Sequence, residues 1–231
     1  MLVRPAAAGI EVFMLRRSRE SAFAPDAYVF PGGTLETQDL DERTAVVGLD
    51  AARCGAGLVI AALRELFEEC GVLFACRPDR TSIIEWDARD PDRERLRSGK
   101  VSFARLLDER GWLADARPLH LFSHWITPAS ESRRYDVHFF VAAMPSGQKP
   151  VADAAETHDG IWIAPADALT RAANGELFVL YPTRKHLERL SAFDRVEALL
   201  KFARAKPIIT ILPTGTQEDG FVLPPELEDA W

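Results

Sequence analysis

The sequence predicts an α/β chain of the α+β kind: a mixed β-sheet sandwiched between helices, with helical insertions and a helical C-terminal extension. Three observations predict it. Short alternating or aromatic-rich stretches stand on both sides of one long apolar-periodic segment at 57–75. The elements run strands, helix, charged helical stretch, strands, helices, without the regular alternation of a doubly wound sheet. Finally, 231 residues, 47% hydrophobic and 27% charged, can bury a large core without disulfides or a structural metal. The chain 1–231 reads as one domain, because no repeat, low-complexity tract or long linker divides it.

Near the start, "AGIEVFMLRRS" alternates as a strand, with Ile10, Val12 and Met14 on one face. In "AYVFPGGTLE", Pro31 stops a strand at 28–30, and Gly32-Gly33 permit a sharp loop open to close approach. Residues 39–54 are mixed and polar, a loop with a short helix. The helix at 57–75 follows and ends at Gly71 or soon after, since glycine inside an apolar pattern costs about 1 kcal/mol relative to alanine. "DARDPDRERLRSGKVSFARLLDERG" is charged, then periodic, and reads as a surface helical insertion. "LHLFSHWITP" and "RRYDVHFFVAAMP" are strands joined by "ASESR", the second central. "GIWIAPADAL" is a strand entering a helix with Pro165 in its first turn. "YPTRKHLERLSAFDRVEALLKFARAK" gives one or two amphipathic helices, with Thr183 an N-cap after Pro182. "PIITILPTG" supplies a last strand, and "PPELEDAW" is expected to be irregular. On this reading the insertions cover about 37–56 and 77–118, and the helical extension about 165–206.

A net charge of -7 argues against general binding to nucleic-acid backbones, while leaving room for a small basic pocket. Cys54, Cys70 and Cys76 form no CxxC and read as reduced thiols of a reducing compartment. The five histidines show no zinc-ligand spacing. No apolar run approaches a membrane span, and the interrupted N-terminal stretch makes a poor signal peptide, so the cytoplasm is the expected location.

The chemistry concentrates in "ALRELFEECGVLFA". Glu65, Glu68 and Glu69 stand at i, i+3 and i+4 and share one helix face. Like charges there repel unless a cation joins them, and oxygen donors suit hard ions such as Mg²⁺ or Mn²⁺. Arg64, at i-4 from Glu68, is placed to orient that carboxylate. Leu63, Leu66, Phe67 and Cys70 are free to pack on the sheet. Taken alone, the glutamates also fit a solvated helix face with an ordinary Arg/Glu pair.

"RELFEECGV" resembles the second half of the Nudix box at every fixed position, and "FPGG" precedes it as in many Nudix hydrolases. The resemblance implies a Nudix-type fold and a metal-dependent diphosphatase. Glu65, Glu68 and Glu69 would be the metal ligands, the carbonyl near Gly33 a further one, and Arg64 their orienting partner. The usual box is continuous, whereas here it is interrupted. Counting back from Arg64 puts Ala56 at the first glutamate, and counting forward from Gly33 puts Asp39 there, 17 positions apart. The first carboxylate is therefore absent, or supplied by Asp39 or Glu36. Such an insertion resembles the branch related to the peroxisomal coenzyme A diphosphatases, as do "YVFPGG", "WITP" and "RRYDVHFFVA". The chain ends Asp229-Ala230-Trp231, not in a microbody signal, which fits a bacterial-type cytoplasmic relative better.

The implied substrate is a small nucleotide-linked diphosphate, coenzyme A or acyl-CoA first, ADP-ribose or NADH as alternatives. A non-catalytic Nudix-fold regulator is the reading from another class. No nucleic acid or membrane partner is implied, and the family is often dimeric. The general base is expected to be Glu69 or Glu156, with Glu131 weaker. Arg16, Arg17, Arg133 and Arg134 flank strand ends and are the candidates for the substrate's anions, although strand alternation keeps both members of a pair from pointing into one cleft. Trp125, Tyr135 and Trp162 suit stacking on a base or, more simply, the core. "PTRKH" fits a helix start better than an anion site, and no P-loop occurs.

Overall fold

The computed structural model describes the chain apart from residues 22, 42–43, 154–156, 217–219 and 229–230. In chain order the elements are β1 (Leu2–Ala6), β2 (Gly9–Arg17), β3 (Tyr28–Val29), a 3-10 turn (Thr37–Leu40), β4 (Val46–Val47), α1 (Ala56–Cys70), β5 (Ala75–Cys76), α2 (Pro91–Arg97) and α3 (Phe103–Arg110). They continue with β6 (Leu113–Asp115), β7 (His120–Ile126), β8 (Asp136–Ala143), β9 (Thr157–Ile163), α4 (Pro165–Ala173), α5 (Tyr181–Leu190) and α6 (Val196–Ala205). The last are β10 (Thr210–Ile211), β11 (Thr214–Thr216), β12 (Gly220–Val222) and a 3-10 turn at Pro225–Leu227.

Seven strands make one mixed sheet, in the order β10-β7-β8-β1-β2-β3 with β9 also on β2. The β1–β8 and β10–β7 pairs are parallel, and the others antiparallel. Alternation along β2 splits its side chains between two cores. Phe13 and Leu15 join α1, α2 and α3 on one face, while Ile10, Val12 and Met14 join α4, α5 and α6 on the other. β1 lies between β8 and β2 with Leu2 and Val3 buried. The sequence reading missed this strand, because Arg4 and Pro5 interrupt its short apolar run.

α1 presents Leu63, Leu66, Phe67 and Cys70 to the first core, as the 3.6-residue period requires. It stops at Cys70, short of 75. Gly71 adopts the left-handed conformation, φ 66°, and its N–H caps the Phe67 carbonyl. Val72, Leu73 and Phe74 are buried in the same core without being helical. Their apolarity, not a helical period, extended the expected helix.

Three other expectations need correction. The charged segment after 87 is not superficial: Leu96 of α2 and Phe103, Leu106 and Leu107 of α3 are core residues. Beside it lies a second sheet, β4-β6-β5, in which the stretch 37–56 pairs with the stretch 77–118. α5 starts three residues earlier than its Pro-Thr pair suggested. Leu180 is the N-cap, Pro182 lies in the first turn, and Thr183 is buried within the helix. The tail is not wholly irregular, since it carries the 3-10 turn at Pro225–Leu227 and Trp231 is buried in the second core.

Candidate active site

Arg64 organises the acidic face of α1. Its side chain is 1% exposed. Nε donates to Asp39 Oδ1 at 2.9 Å and Nη2 to Asp39 Oδ2 at 3.0 Å, a bidentate pair. Nη2 also donates to the Thr34 carbonyl at 2.8 Å. Nη1 reaches Glu68 Oε2 at 2.8 Å and Glu65 Oε1 at 3.0 Å, with Glu36 Oε1 at 3.8 Å. Burial works against the guanidinium's charge, but the Asp39 hydrogen bond and the neighbouring carboxylates outweigh it and raise its pKa.

Four carboxylates thus share one guanidinium, and Asp39 takes two of its donors. Glu65 is left short of positive charge, and burial, reinforced by Glu68 and Glu36, pushes its pKa up to about 7. Burial raises Glu68 as well, against the pull of Arg64. Oxygen donors gathered without enough positive charge are the donor chemistry of a hard divalent ion. The loop in front of α1 is shaped to the same end. Gly32 N–H donates to Glu69 Oε2 at 2.8 Å. A Cβ on Gly33 would overlap the Glu65 carboxylate, so glycine lets the backbone approach without displacing that side chain. The loop turns back at Thr37–Leu40, where Asp39 Oδ2 accepts the Glu36 N–H at 2.9 Å. Of the two residues weighed for the displaced front carboxylate, Asp39 is the one buried on Arg64, and Glu36 stays half exposed.

The other predicted residues are scattered. Arg16 pairs with Asp26 at 2.8 Å and approaches Asp159 at 3.8 Å. Arg17 donates to the Phe23 carbonyl at 3.1 Å, and Arg134 to the Thr127 carbonyl at 3.0 Å. Arg133 is exposed between β7 and β8. Among the described contacts none of the four touches the acidic cluster. Glu131 sits in the same β7–β8 connection. Glu156 lies outside the described residues. Trp125 is buried in the second core, Trp162 packs on Phe13, and Tyr135 lies against Phe23.

One grouping brings together histidines that show no zinc-ligand spacing in the sequence. His124, Asp136 and His138 offer one ligand atom each, all within 4.8 Å of one another. Sequence spacing hid it, because His124 and His138 meet only through the pairing of β7 with β8. The available signal was Asp-x-His on a strand.

A family model described as the NUDT19 Nudix domain matches residues 55–190. The chain is similar to acyl-coenzyme A diphosphatase NUDT19 of Xenopus laevis, 27% identical over 83% of this chain and 62% of the relative. It is also similar to acyl-coenzyme A diphosphatase NUDT19 of Gallus gallus, 27% identical over 92% and 70%. A putative nudix hydrolase 7 of Caenorhabditis elegans is 30% identical over 89% and 64%. The chain thus spans about two thirds of the length of these relatives, between 62% and 70%. A crystal structure of a NUDIX hydrolase from Alicyclobacillus acidocaldarius superimposes with a TM-score of 0.77 at 28% identity, covering 87% of this chain and 92% of that one. With the family model spanning more than half of its residues, and with that fold and that box, the chain belongs to the NUDT19-type Nudix family.

Proposed function

We propose that the chain is a divalent-metal-dependent diphosphatase that hydrolyses a phosphoanhydride in a nucleotide-linked diphosphate, with coenzyme A or an acyl-CoA as substrate. The observation that carries this reading is the charge deficit around Arg64, where Asp39, Glu65 and Glu68 crowd one guanidinium beside the Gly32–Gly33 backbone. The similarity to the frog and chicken acyl-coenzyme A diphosphatases favours the coenzyme A class.

Glu65, Glu68, Glu69 and the Gly33 carbonyl would hold Mg²⁺ or Mn²⁺. An ion held there would supply charge neutralisation at the phosphate oxygens and a lowered pKa for the attacking water. The chain's own residues set the geometry. Arg64 fixes the Glu68 carboxylate, and Gly32 N–H fixes one oxygen of Glu69, so neither has to be ordered during turnover. Glu69 or Glu156 takes the water proton, a role worth roughly 10²–10⁴ in rate. Arg16, Arg17, Arg133 and Arg134 remain the proposed anion contacts. Among them Arg133 is exposed, and Arg16 would exchange Asp26 for phosphate. We also propose the insertions at about 37–56 and 77–118, and a reducing, cytoplasmic setting on the strength of three free thiols.

The test is a panel of coenzyme A, acyl-CoA, ADP-ribose and NADH, assayed with Mg²⁺ and Mn²⁺. Coenzyme A compounds are expected to be cleaved at the diphosphate, and Glu68→Gln and Glu69→Gln to lose turnover by orders of magnitude while folding normally. Preference for ADP-ribose or NADH would move the substrate class. An intact panel with metal-loaded protein would leave the non-catalytic regulator.

A further inference from the structure

The sheet carries a second set of ligands, none of which is a member of the acidic cluster on Arg64. Asp136 and His138 stand at i and i+2 on β8 and so share a face. His124 of β7 is the cross-strand partner of His138. Phe140 of the same β8 face belongs to the α1 core, while Phe139 and Val141 belong to the other. Nε2 of His124 lies 2.6 Å from Asp136 Oδ1, and Nδ1 of His138 lies 3.6 Å from the same oxygen. The two imidazoles stack with centroids 4.2 Å apart. Both are largely buried, with side chains 19% and 20% exposed.

We infer that His124 Nε2, Asp136 Oδ1 and His138 Nδ1 form a second metal site, for a divalent transition ion of the Zn²⁺ class, separate from the carboxylate site on α1. Ligand type selects the ion. Imidazole nitrogen suits Zn²⁺ and its neighbours, whereas Mg²⁺ takes oxygen. Ligands at Zn–N lengths of about 2.0–2.1 Å stand about 3.3 Å apart in a tetrahedron. The His138–Asp136 approach of 3.6 Å is close to that value, and the His124–Asp136 hydrogen bond of 2.6 Å has to open for an ion to enter. His138 Nδ1 is buried and makes no hydrogen bond among the described residues, a cost that coordination removes. The other nitrogen of His124, Nδ1, is held by Thr210 Oγ1 at 2.9 Å, the outer-shell contact that fixes a ligating imidazole.

Three protein ligands leave a tetrahedral ion one open position. A cavity of about 470 Å³ borders both imidazoles and is also lined by Asp50, Arg53, Arg204 and Lys206. Arg53 is fixed there by the carbonyls of Arg204 and Lys206, at 2.8 and 2.6 Å. The cavity beside the imidazoles thus has a predominantly basic wall, suited to water or a small anion as a fourth ligand.

The test uses the full chain, stripped with a chelator, saturated with Mg²⁺ to occupy oxygen-donor sites, and titrated with Zn²⁺. Elemental analysis after dialysis and the absorption of a Co²⁺-substituted sample report the site. One equivalent is expected in the wild type. His124→Gln and Asp136→Asn should each weaken binding by more than about 100-fold, with the unfolding midpoint and any Mg²⁺-dependent turnover unchanged. Because Asp136 is an exposed side chain, Asp136→Asn keeps the test valid if the histidine variant misfolds. No retained Zn²⁺ in the wild type, or equal retention in the variants, overturns the site. The readout is binding, so it stands whether or not the diphosphatase reading holds.

Discussion

Arg64 and Asp39 grip each other with two parallel hydrogen bonds, 2.9 and 3.0 Å, across 25 residues of sequence. Both side chains are 1% exposed, so neither charge has water to fall back on if the other is removed. Asp39→Ala is expected to destabilise the fold by about 3–5 kcal/mol, read from urea unfolding. Arg64→Lys with Asp39 kept should also destabilise, because a point charge cannot bridge both carboxylate oxygens and still reach Thr34. A loss below about 1 kcal/mol in Asp39→Ala would show that the pair is dispensable.

Gly33→Ala separates the loop's shape from overall stability. The added methyl group meets the Glu65 carboxylate and displaces either the loop or the glutamate. Turnover on the best substrate should fall by about 100-fold, the scale of a 1 Å misplacement, with the circular-dichroism melt shifted by only a few degrees. Full activity in this variant would remove Gly33 from the site.

Metal binding should also register as stability. Mg²⁺ at a hundredfold excess over its dissociation constant is expected to stabilise the chain by about 2.7 kcal/mol, seen as a rise in the thermal midpoint. Glu68→Gln should abolish most of that rise. Its persistence would mean that the ion binds elsewhere.

His186 gives a pH prediction with a definite sign. It is fully buried, donating from Nδ1 to the Pro182 carbonyl at 2.7 Å and accepting at Nε2 from the Ser123 hydroxyl at 2.7 Å. Ser123 in turn accepts from Trp125 Nε1 at 3.2 Å. Burial lowers its pKa to about 3, below the ordinary 6.5. The unfolded chain therefore takes the proton first. The contribution is fully present above pH about 6.5 and is lost toward pH about 3, at roughly 1.4 kcal/mol per unit between. Urea midpoints measured from pH 7 to 4 should fall more steeply for the wild type than for His186→Gln. Equal slopes would contradict the buried neutral imidazole.

Much of this molecule was legible in its sequence, for local reasons. The period of α1, the alternation of β2 and the i, i+3, i+4 glutamates are short-range patterns, and the structure keeps them. Gly71 could be read as a stop because its left-handed backbone serves one helix end. What stayed hidden depends on distant pairing. β1 is a strand because β8 and β2 flank it, not because "LVRPA" favours one. The burial of Asp39 on Arg64 joins residues 25 apart and follows no local pattern. The His124–His138 contact exists only in the register of two strands.

The small β4-β6-β5 sheet has a consequence for ancestry. β6 takes its two neighbours from opposite ends of α1, one from the interruption of the box and one just past the helix. Deleting the interruption alone would strip β6 of one partner and expose a bare edge ready to pair with another molecule. Deleting the later stretch alone would leave β4 with nothing to pair against. Because each excursion supplies a strand to the other, relatives with an uninterrupted box are expected also to lack the segment that carries α2 and α3.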